Sequence, residues 1–299
     1  RLEPDLTAFS PEVARRFRAY HRAEPERLER SILRAAHYIA TKWEFSFILH
    51  WSADMYGVDQ TQREIDEQIS RIDLPAAREI LESPADSRLW GFISLVGQLT
   101  FQRRWAQTPR TPQTSVLGHL LFVALVSWMV SHEVGVCPRR LYNNFFGGLF
   151  HDIPEVLTRD IISPVKASVE GLDEMIRRYE REAMEERIFP LLPEGWHREL
   201  RWYTEEEFTN KTWQEGQIDP VQRHAGDIPR ELDRDCYNPL DGRVIEICDK
   251  LAAYIEASVS ISTGIRSPAL EEGKRRLYDR FRQARIEDVS LGYLFEYFR

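Results

Sequence analysis

The chemistry of this chain is indicated first by one stretch, His151-Asp-Ile-Pro-Glu-Val-Leu-Thr-Arg-Asp-Ile-Ile-Ser-Pro-Val-Lys166. It follows directly on the apolar segment Phe145-Phe-Gly-Gly-Leu-Phe150, and a helix is predicted from about 139 to 158. An imidazole and a carboxylate on a buried helix face are costly unless they are hydrogen-bonded, paired or bound to a metal. A His-Asp pair also occurs by chance, so its weight depends on similar groups elsewhere in the chain.

Two more polar residues lie in apolar helical segments. His119 occurs in Val-Leu-Gly-His-Leu-Leu-Phe-Val, and Asp249 occurs in Ile-Cys-Asp-Lys-Leu-Ala-Ala-Tyr. Taken alone, His119 is more typical of a hydrogen-bonded core histidine, and Asp249 of a helix-packing or capping residue. Together with His151 and Asp152 they have one economical explanation, which is a shared divalent cation. Two imidazoles and two carboxylates suit Mn, Fe, Co, Ni or Zn better than Ca or Mg.

The stretch also contains candidates for catalysis and substrate binding. Glu155 follows His151 by one helical turn, so the two side chains are expected on one face, where Glu155 could orient or deprotonate a metal-bound water. Asp160 could accept a hydrogen bond from a substrate hydroxyl, and Lys166 could meet a phosphate. The alternatives are an ion-paired surface glutamate, a loop aspartate and a solvated lysine.

Helical periodicity dominates the whole chain and predicts an all-α fold. We expect a helical N-terminal extension over 1–85 and a core over 86–299. Residues from about 190 to 241 are rich in Pro, Gly and aromatic residues, which predicts a partly irregular insertion that acts as a lid or contact surface. The remaining helices are expected at about 26–55, 60–82, 86–104, 115–133, 168–189, 243–263 and 268–284.

Composition excludes several classes of protein. The formal net charge of −8 argues against broad attachment to nucleic acid or anionic membranes. The longest apolar stretch, Leu120 to Val130, is too short to span a bilayer, and no secretory signal opens the sequence. Three cysteines without a CxxC pair argue against a disulfide framework and favour the reducing cytoplasm.

The run from His151 to Lys166 resembles the signature of the HD-domain superfamily, and specifically its YfbR-like 5'-deoxynucleotidase branch. That branch also has an Arg-Trp pair upstream of its first metal-binding histidine, matched here by Arg104-Trp105 before His119. Its last ligand is a helical Asp followed by Ala and Tyr, as at Asp249. The resemblance covers about 95–190 and 240–265.

This resemblance implies an HD-domain helical bundle that binds one divalent metal and hydrolyses phosphate from nucleoside monophosphates. By matching position, the metal ligands are His119, His151, Asp152 and Asp249. Glu155 becomes the candidate for activating water, with Asp152 as a further proton acceptor. The candidates for holding phosphate and sugar are Arg104, Trp105, Asp160 and Lys166.

Several alternatives stay open at this stage. The substrate could be a nucleoside triphosphate or another small phosphate ester, and the chain could be a non-catalytic, nucleotide-sensing HD protein. Some HD proteins bind a second metal through histidines between the His-Asp pair and the last Asp, and His197 and His224 lie in that interval, although their irregular surroundings favour surface positions. The aromatic-rich insertion is consistent with a homodimer.

Overall fold

The computed structural model describes residues 2–22, 27–52, 54–84, 86–106, 108–158, 171–217 and 219–299. Over these ranges the chain is mainly helical, with two small antiparallel sheets of two strands each. The helices are α1 (Glu3–Phe9), α2 (Pro11–Arg22), α3 (Leu28–Ser52), α4 (Val58–Ser70), α5 (Pro75–Glu82), α6 (Arg88–Gly97), α7 (Val116–Val134), α8 (Pro138–Phe150), α9 (Glu155–Thr158), α10 (Leu172–Ala183), α11 (Glu194–Thr204), α12 (Gly242–Ser262), α13 (Pro268–Phe281) and α14 (Gly292–Tyr297). The strands are β1 (Asn210–Trp213), β2 (Val221–His224), β3 (Arg285–Ile286) and β4 (Val289–Ser290).

The chain divides into two compact units, Arg1–Ile93 and Ser94–Arg299, so the division falls inside α6, later than the boundary expected at residue 85. In the first unit, α3 packs against α4 and α5 around a small core of Ala35, Ile72, Ala77 and Leu81. The Lys42 ammonium donates a hydrogen bond to the backbone oxygen of Leu81 at 2.5 Å. This bond ties the end of α5 to the middle of α3.

The second unit has its core around α12, which packs against α7, α8 and α13. Buried apolar residues occur on several sides of α12, as expected for a helix enclosed by others. Among the most enclosed side chains are Val123, Leu240, Val244, Ile245, Tyr254, Ile286 and Phe295. Any polar side chain on the inner faces of these helices is therefore removed from water and needs a partner within the protein.

The helices that carry His119 and Asp249 begin and end close to where the sequence predicts. In α7 the Ser115 side chain accepts a hydrogen bond from the backbone N–H of Gly118, which caps the first turn. Gly135 follows the last turn with φ of 79°, a left-handed conformation that favours glycine. Asp241 caps α12 in the same way as Ser115, through the backbone N–H of Val244.

The helix predicted over 139–158 is interrupted, so that prediction was wrong in one detail. Helix α8 ends at Phe150, residues 151–154 form turns, and α9 begins at Glu155. The reason is Pro154, which has no N–H to donate and whose ring would clash with the carbonyl of Phe150 in a continuous helix. His151 and Glu155 are therefore not on one uninterrupted helix face.

The 190–241 segment is more ordered than a partly irregular insertion suggests, because it contains α11 and the β1–β2 hairpin. The hairpin pairs Asn210 with His224 and Trp213 with Val221. This segment is joined to α8 through Arg140, whose fully buried guanidinium binds Asp241 at 2.5 Å and Asp233 at 3.3 Å. The same guanidinium binds Glu287, between β3 and β4, at 3.0 Å.

Helix α7 is longer than the apolar stretch Leu120 to Val130, which is by itself too short to span a bilayer. By length and composition alone the whole helix could cross a membrane, although a little under half of its apolar stretch is buried inside the fold. The core helix of a compact domain meets the same criteria, and α7 packs on α8 and α12.

Candidate metal centre

Two helices and one turn bring four potential metal ligands together. His119 comes from α7, His151 and Asp152 from the turn after α8, and Asp249 from α12. Each offers one ligand atom, and these atoms lie within 4.8 Å of one another. His119, His151 and Asp249 are buried, and Asp152 is half-buried. The convergence expected from the sequence is therefore present.

The approach of α7 to α8 depends on Gly148. A Cβ at this position would lie 2.9 Å from the Cα of Ala124, so any larger residue would meet the backbone of α7. Because the two helices touch at this point, the His119 and His151 rings come within 5.6 Å of each other, measured between their centroids.

The polar atoms of the cluster fit a bound cation. His119 Nε2 lies 3.1 Å from Asp249 Oδ1, and His151 Nε2 lies 3.2 Å from Asp152 Oδ2. Neither nitrogen makes a hydrogen bond with acceptable geometry, although both are buried. Buried nitrogens in this state are costly. A divalent ion here would give both Nε2 atoms and both carboxylates a common partner, and such a donor set suits a borderline transition metal.

His151 is already oriented for this task. Its Nδ1 lies 2.9 Å from the backbone oxygen of Gly148, a contact in which Nδ1–H donates. Nδ1 therefore carries a proton, and Nε2 is the nitrogen that faces the carboxylates and would coordinate a metal, the usual arrangement for a metal-binding histidine.

Electrostatics keep both carboxylates ionised. Burial alone would raise the pKa of Asp249, but the ammonium of Lys250 and the facing His119 hold that pKa well below its usual value. Burial would also raise the pKa of Asp152, but the neighbouring His151 has the larger effect and lowers that pKa. Burial lowers the pKa of His151, yet the charges of Asp152 and Asp249 outweigh this effect and raise it to about 8. The pKa of His119 is lowered by burial and by the Arg104 cation.

Two cations lie beside the ligands. The Arg104 guanidinium places Nη1 3.7 Å from Asp152 Oδ2 and Nη2 3.8 Å from Asp249 Oδ1. Lys250 Nζ lies 2.6 Å from Asp249 Oδ2. Arg104 was expected to hold the phosphate or sugar of a substrate, whereas Lys250 was missed, although its position directly after Asp249 could have indicated it. Trp105 is turned toward Glu256, to which its indole N–H donates at 3.0 Å.

A cavity of about 770 Å³ opens over the cluster. Its wall includes His151, Asp152 and Asp249, together with Arg104 and the buried side chain of Glu155. Glu155 therefore faces the same space as three of the potential ligands, even though α8 ends before it.

The 190–241 segment forms part of this wall, which the sequence did not specify beyond a lid or contact surface. The contributing residues are Thr204, Glu205, Glu206, Glu207 and Phe208. The Phe208 ring lies 6.0 Å from the His151 ring and 5.4 Å from Lys250 Nζ. Burial raises the pKa of Glu207.

The remaining sequence candidates are not among the described residues that line the cavity. Asp160 and Lys166 fall outside the described residues. His197 Nε2 lies 3.1 Å from the backbone oxygen of Leu192, and His224 Nε2 lies 2.9 Å from the Thr212 hydroxyl. Within the described ranges, one group of potential metal ligands is found, the cluster that contains His119 and Asp249. Neither His197 nor His224 belongs to it.

Comparison with known proteins identifies the class of this fold and site. The profile of the HD domain family matches residues 96–278, which is more than half of the chain. This chain belongs to the HD domain family, and its second unit is the all-α bundle of that family. HD domains bind divalent metals, in keeping with the four converging side chains.

Among solved structures, the chain is similar to an HD-domain phosphohydrolase from Listeria innocua. The two share 18% sequence identity, the match covers 69% of this chain and 83% of the other, and the TM-score is 0.48. No curated protein sequence matches the chain significantly.

Proposed function

We propose that this protein is a metal-dependent phosphohydrolase acting on small phosphate esters, and that its substrates are (deoxy)nucleoside 5'-monophosphates. The observation that carries the proposal is the convergence of two imidazole nitrogens and two carboxylates beside a cavity that three of the four side chains line. Membership of the HD domain family supports the reaction class. The resemblance of the stretch beginning at His151 to the 5'-deoxynucleotidase branch supports the substrate.

His119, His151, Asp152 and Asp249 would hold the ion. When bound, a divalent cation supplies a Lewis acid and lowers the pKa of a coordinated water toward neutrality. Glu155 lines the cavity and would orient that water or accept its proton for attack on phosphorus. Arg104 and Lys250 would offset negative charge on the phosphoryl oxygens, so catalysis would depend mainly on positioning and electrostatics.

The charges around the cavity favour a single phosphate over a triphosphate. Arg223 lies 2.7 Å from Glu206, and Arg280 lies 2.6 Å from Glu246, so these wall cations are already matched by carboxylates. Carboxylates outnumber cations along the wall as a whole, and Glu205 and Glu207 flank the paired Glu206. Additional phosphates extending toward this segment would meet the carboxylates of Glu205 and Glu207, and like charges repel.

A substrate screen tests the proposal. Protein stripped with a chelator would be supplied in turn with Mn²⁺, Co²⁺, Ni²⁺ and Zn²⁺, and phosphate release would be measured from nucleoside mono-, di- and triphosphates and simple phosphate esters. We expect release from monophosphates that requires a metal and is absent in Asp152→Ala. Preferred release from triphosphates would contradict the substrate. Tight nucleotide binding without turnover under any metal would indicate the sensing role instead.

A further inference from the structure

Glu256 lies on α12 two helical turns after Asp249, on the same face of the helix. Its side chain is only 10% exposed, so its carboxylate needs partners within the fold. Oε1 accepts a hydrogen bond from the Thr114 hydroxyl at 2.5 Å, and Oε2 accepts one from the Trp105 indole N–H at 3.0 Å. Glu256 therefore joins α12 to the segment that precedes α7.

The same carboxylate also faces Arg104. Arg104 Nε lies 3.5 Å from Glu256 Oε2, while the other edge of the guanidinium lies 3.7 Å from Asp152 and 3.8 Å from Asp249. All three separations exceed the roughly 2.7–2.9 Å of a direct charge-assisted hydrogen bond. Arg104 is thus shared between one carboxylate behind it and two potential metal ligands in front of it.

We infer that Glu256 is a positioning residue that holds Arg104 back from Asp152 and Asp249, so that these two carboxylates remain available to a divalent cation. The backbone at Trp105 supports this arrangement, because its φ of 58° is uncommon for a bulky residue and persists only where neighbours hold it. Only the contact of Arg104 with a substrate rests on the proposed function. The effect of Glu256 on metal binding does not depend on catalysis.

The physical reason is competition for the same oxygen atoms. Asp152 and Asp249 are the two other carboxylates that the described residues place within 4 Å of the Arg104 cation, and a shift of about 1 Å would bring it into direct hydrogen-bonding range of them. A guanidinium bonded to those oxygens opposes metal binding, because the ion needs their lone pairs.

A double-mutant cycle read out by metal binding tests this. Chelator-treated wild type, Glu256→Ala, Arg104→Ala and the double variant would each be titrated with Mn²⁺ by calorimetry. We expect Glu256→Ala to weaken Mn²⁺ affinity about tenfold, a usual size for residues one layer behind metal ligands. In the Arg104→Ala background, the same substitution should change the affinity little. Equal weakening in both backgrounds would overturn the inference in favour of a general structural role, and so would unchanged affinity in Glu256→Ala.

A second variant covers the case in which Glu256→Ala does not fold, which circular dichroism would reveal. Glu256→Gln keeps an oxygen that can accept from Trp105 but lacks the charge that restrains Arg104. It should still weaken Mn²⁺ binding several-fold, and only when Arg104 is present. Unchanged affinity would again refute the inference.

Glu272→Gln on α13 is the matched control. It removes a carboxylate that pairs with Arg275 and Arg276 on the solvent side of that helix, and we expect wild-type Mn²⁺ affinity. The double-mutant cycle and the substrate screen test different claims, so one can be refuted without the other. Absence of phosphate release from wild type would refute the proposed function, whereas the Mn²⁺ titrations would still decide the role of Glu256.

Discussion

At the scale of single residues, the candidate site combines four potential ligands that are held in place with one further buried carboxylate, Glu155. His119 and Asp249 are buried on opposite helices, with the nearest nitrogen and oxygen 3.1 Å apart, so neither can relax toward water. Glu155 is buried in the same cavity without belonging to the group of four ligands. This difference in position predicts that ligand and acid substitutions have separable effects.

Glu155→Ala should slow phosphate release while the metal remains bound. A positioned general base contributes about 10²–10⁴-fold to rate, so we expect kcat to fall within that range. The measurement is steady-state turnover of a nucleoside monophosphate alongside metal content by mass spectrometry. Turnover at the wild-type rate would show that the role assigned to Glu155 is wrong.

Asp249→Asn should remove the metal and the activity together. The substitution preserves side-chain size but replaces an anionic ligand with a neutral amide, and ligation by Asp requires the carboxylate. Metal content after purification without chelator should fall well below that of wild type. Full metal content in Asp249→Asn would exclude it from the ligand set.

At the scale of secondary-structure elements, the contact between α7 and α8 sets the distance between the two histidines. Gly148→Ala would place a methyl group 2.9 Å from the Cα of Ala124 and force the helices apart. We expect the free energy of unfolding to fall by about 1–3 kcal/mol, as for other overpacked sites. Mn²⁺ affinity should fall in the same variant.

The control for this substitution is Gly195→Ala in α11, where an added Cβ meets nothing within 4 Å. It should leave Mn²⁺ affinity unchanged and not reduce stability, because Ala is the better helix former. If both glycine variants behaved alike in thermal unfolding and metal titration, the helix contact would not be what sets the metal site.

The β1 strand carries a pH-dependent contribution to stability. Burial lowers the pKa of Lys211 from 10.5 to about 8, although its ammonium donates to the backbone oxygen of Glu205. Between these two values the unfolded chain binds more protons than the folded chain, so the free energy of unfolding rises with pH. Below about pH 8 the lysine is charged in both states and the folded state bears the full penalty.

The matching measurement is chemical denaturation of wild type and Lys211→Met between pH 7.5 and 10.5. The stability of wild type relative to the variant should increase by about 3 kcal/mol across that window, since one pKa unit corresponds to about 1.4 kcal/mol. A difference that stays constant with pH would mean that burial does not shift the pKa of Lys211.

At the scale of the whole molecule, a single ion would join α7, α12 and the turn that follows α8. A ligand that binds only the folded state stabilises it by about 2.7 kcal/mol at a hundred times its dissociation constant. We therefore expect added Mn²⁺ to raise the Tm of wild type and a chelator to lower it, as followed by calorimetry. Asp249→Asn should show the same Tm with and without Mn²⁺.

The sequence by itself determined the helical class, the bounds of the helices that carry His119 and Asp249, and the identity of the four converging side chains. These features were predictable because they depend on local signals. Apolar periodicity specifies helices, Ser115 and Gly135 mark the ends of one of them, and isolated polar residues on apolar faces need partners, for which one shared cation is an economical explanation.

Only the tertiary structure decided the surroundings of that site. The structure revealed the contacts of Lys250 and Glu256, the contact at Gly148, and the part of the cavity wall formed by residues 204–208. These features depend on how helices pack, because they bring together residues that are far apart in the chain. The continuous helix expected through His151 and Glu155 failed at Pro154 for a local reason that was visible in advance. Which carboxylate faces which cation is settled by how helices pack, and helix periodicity carries no information about partners on other helices.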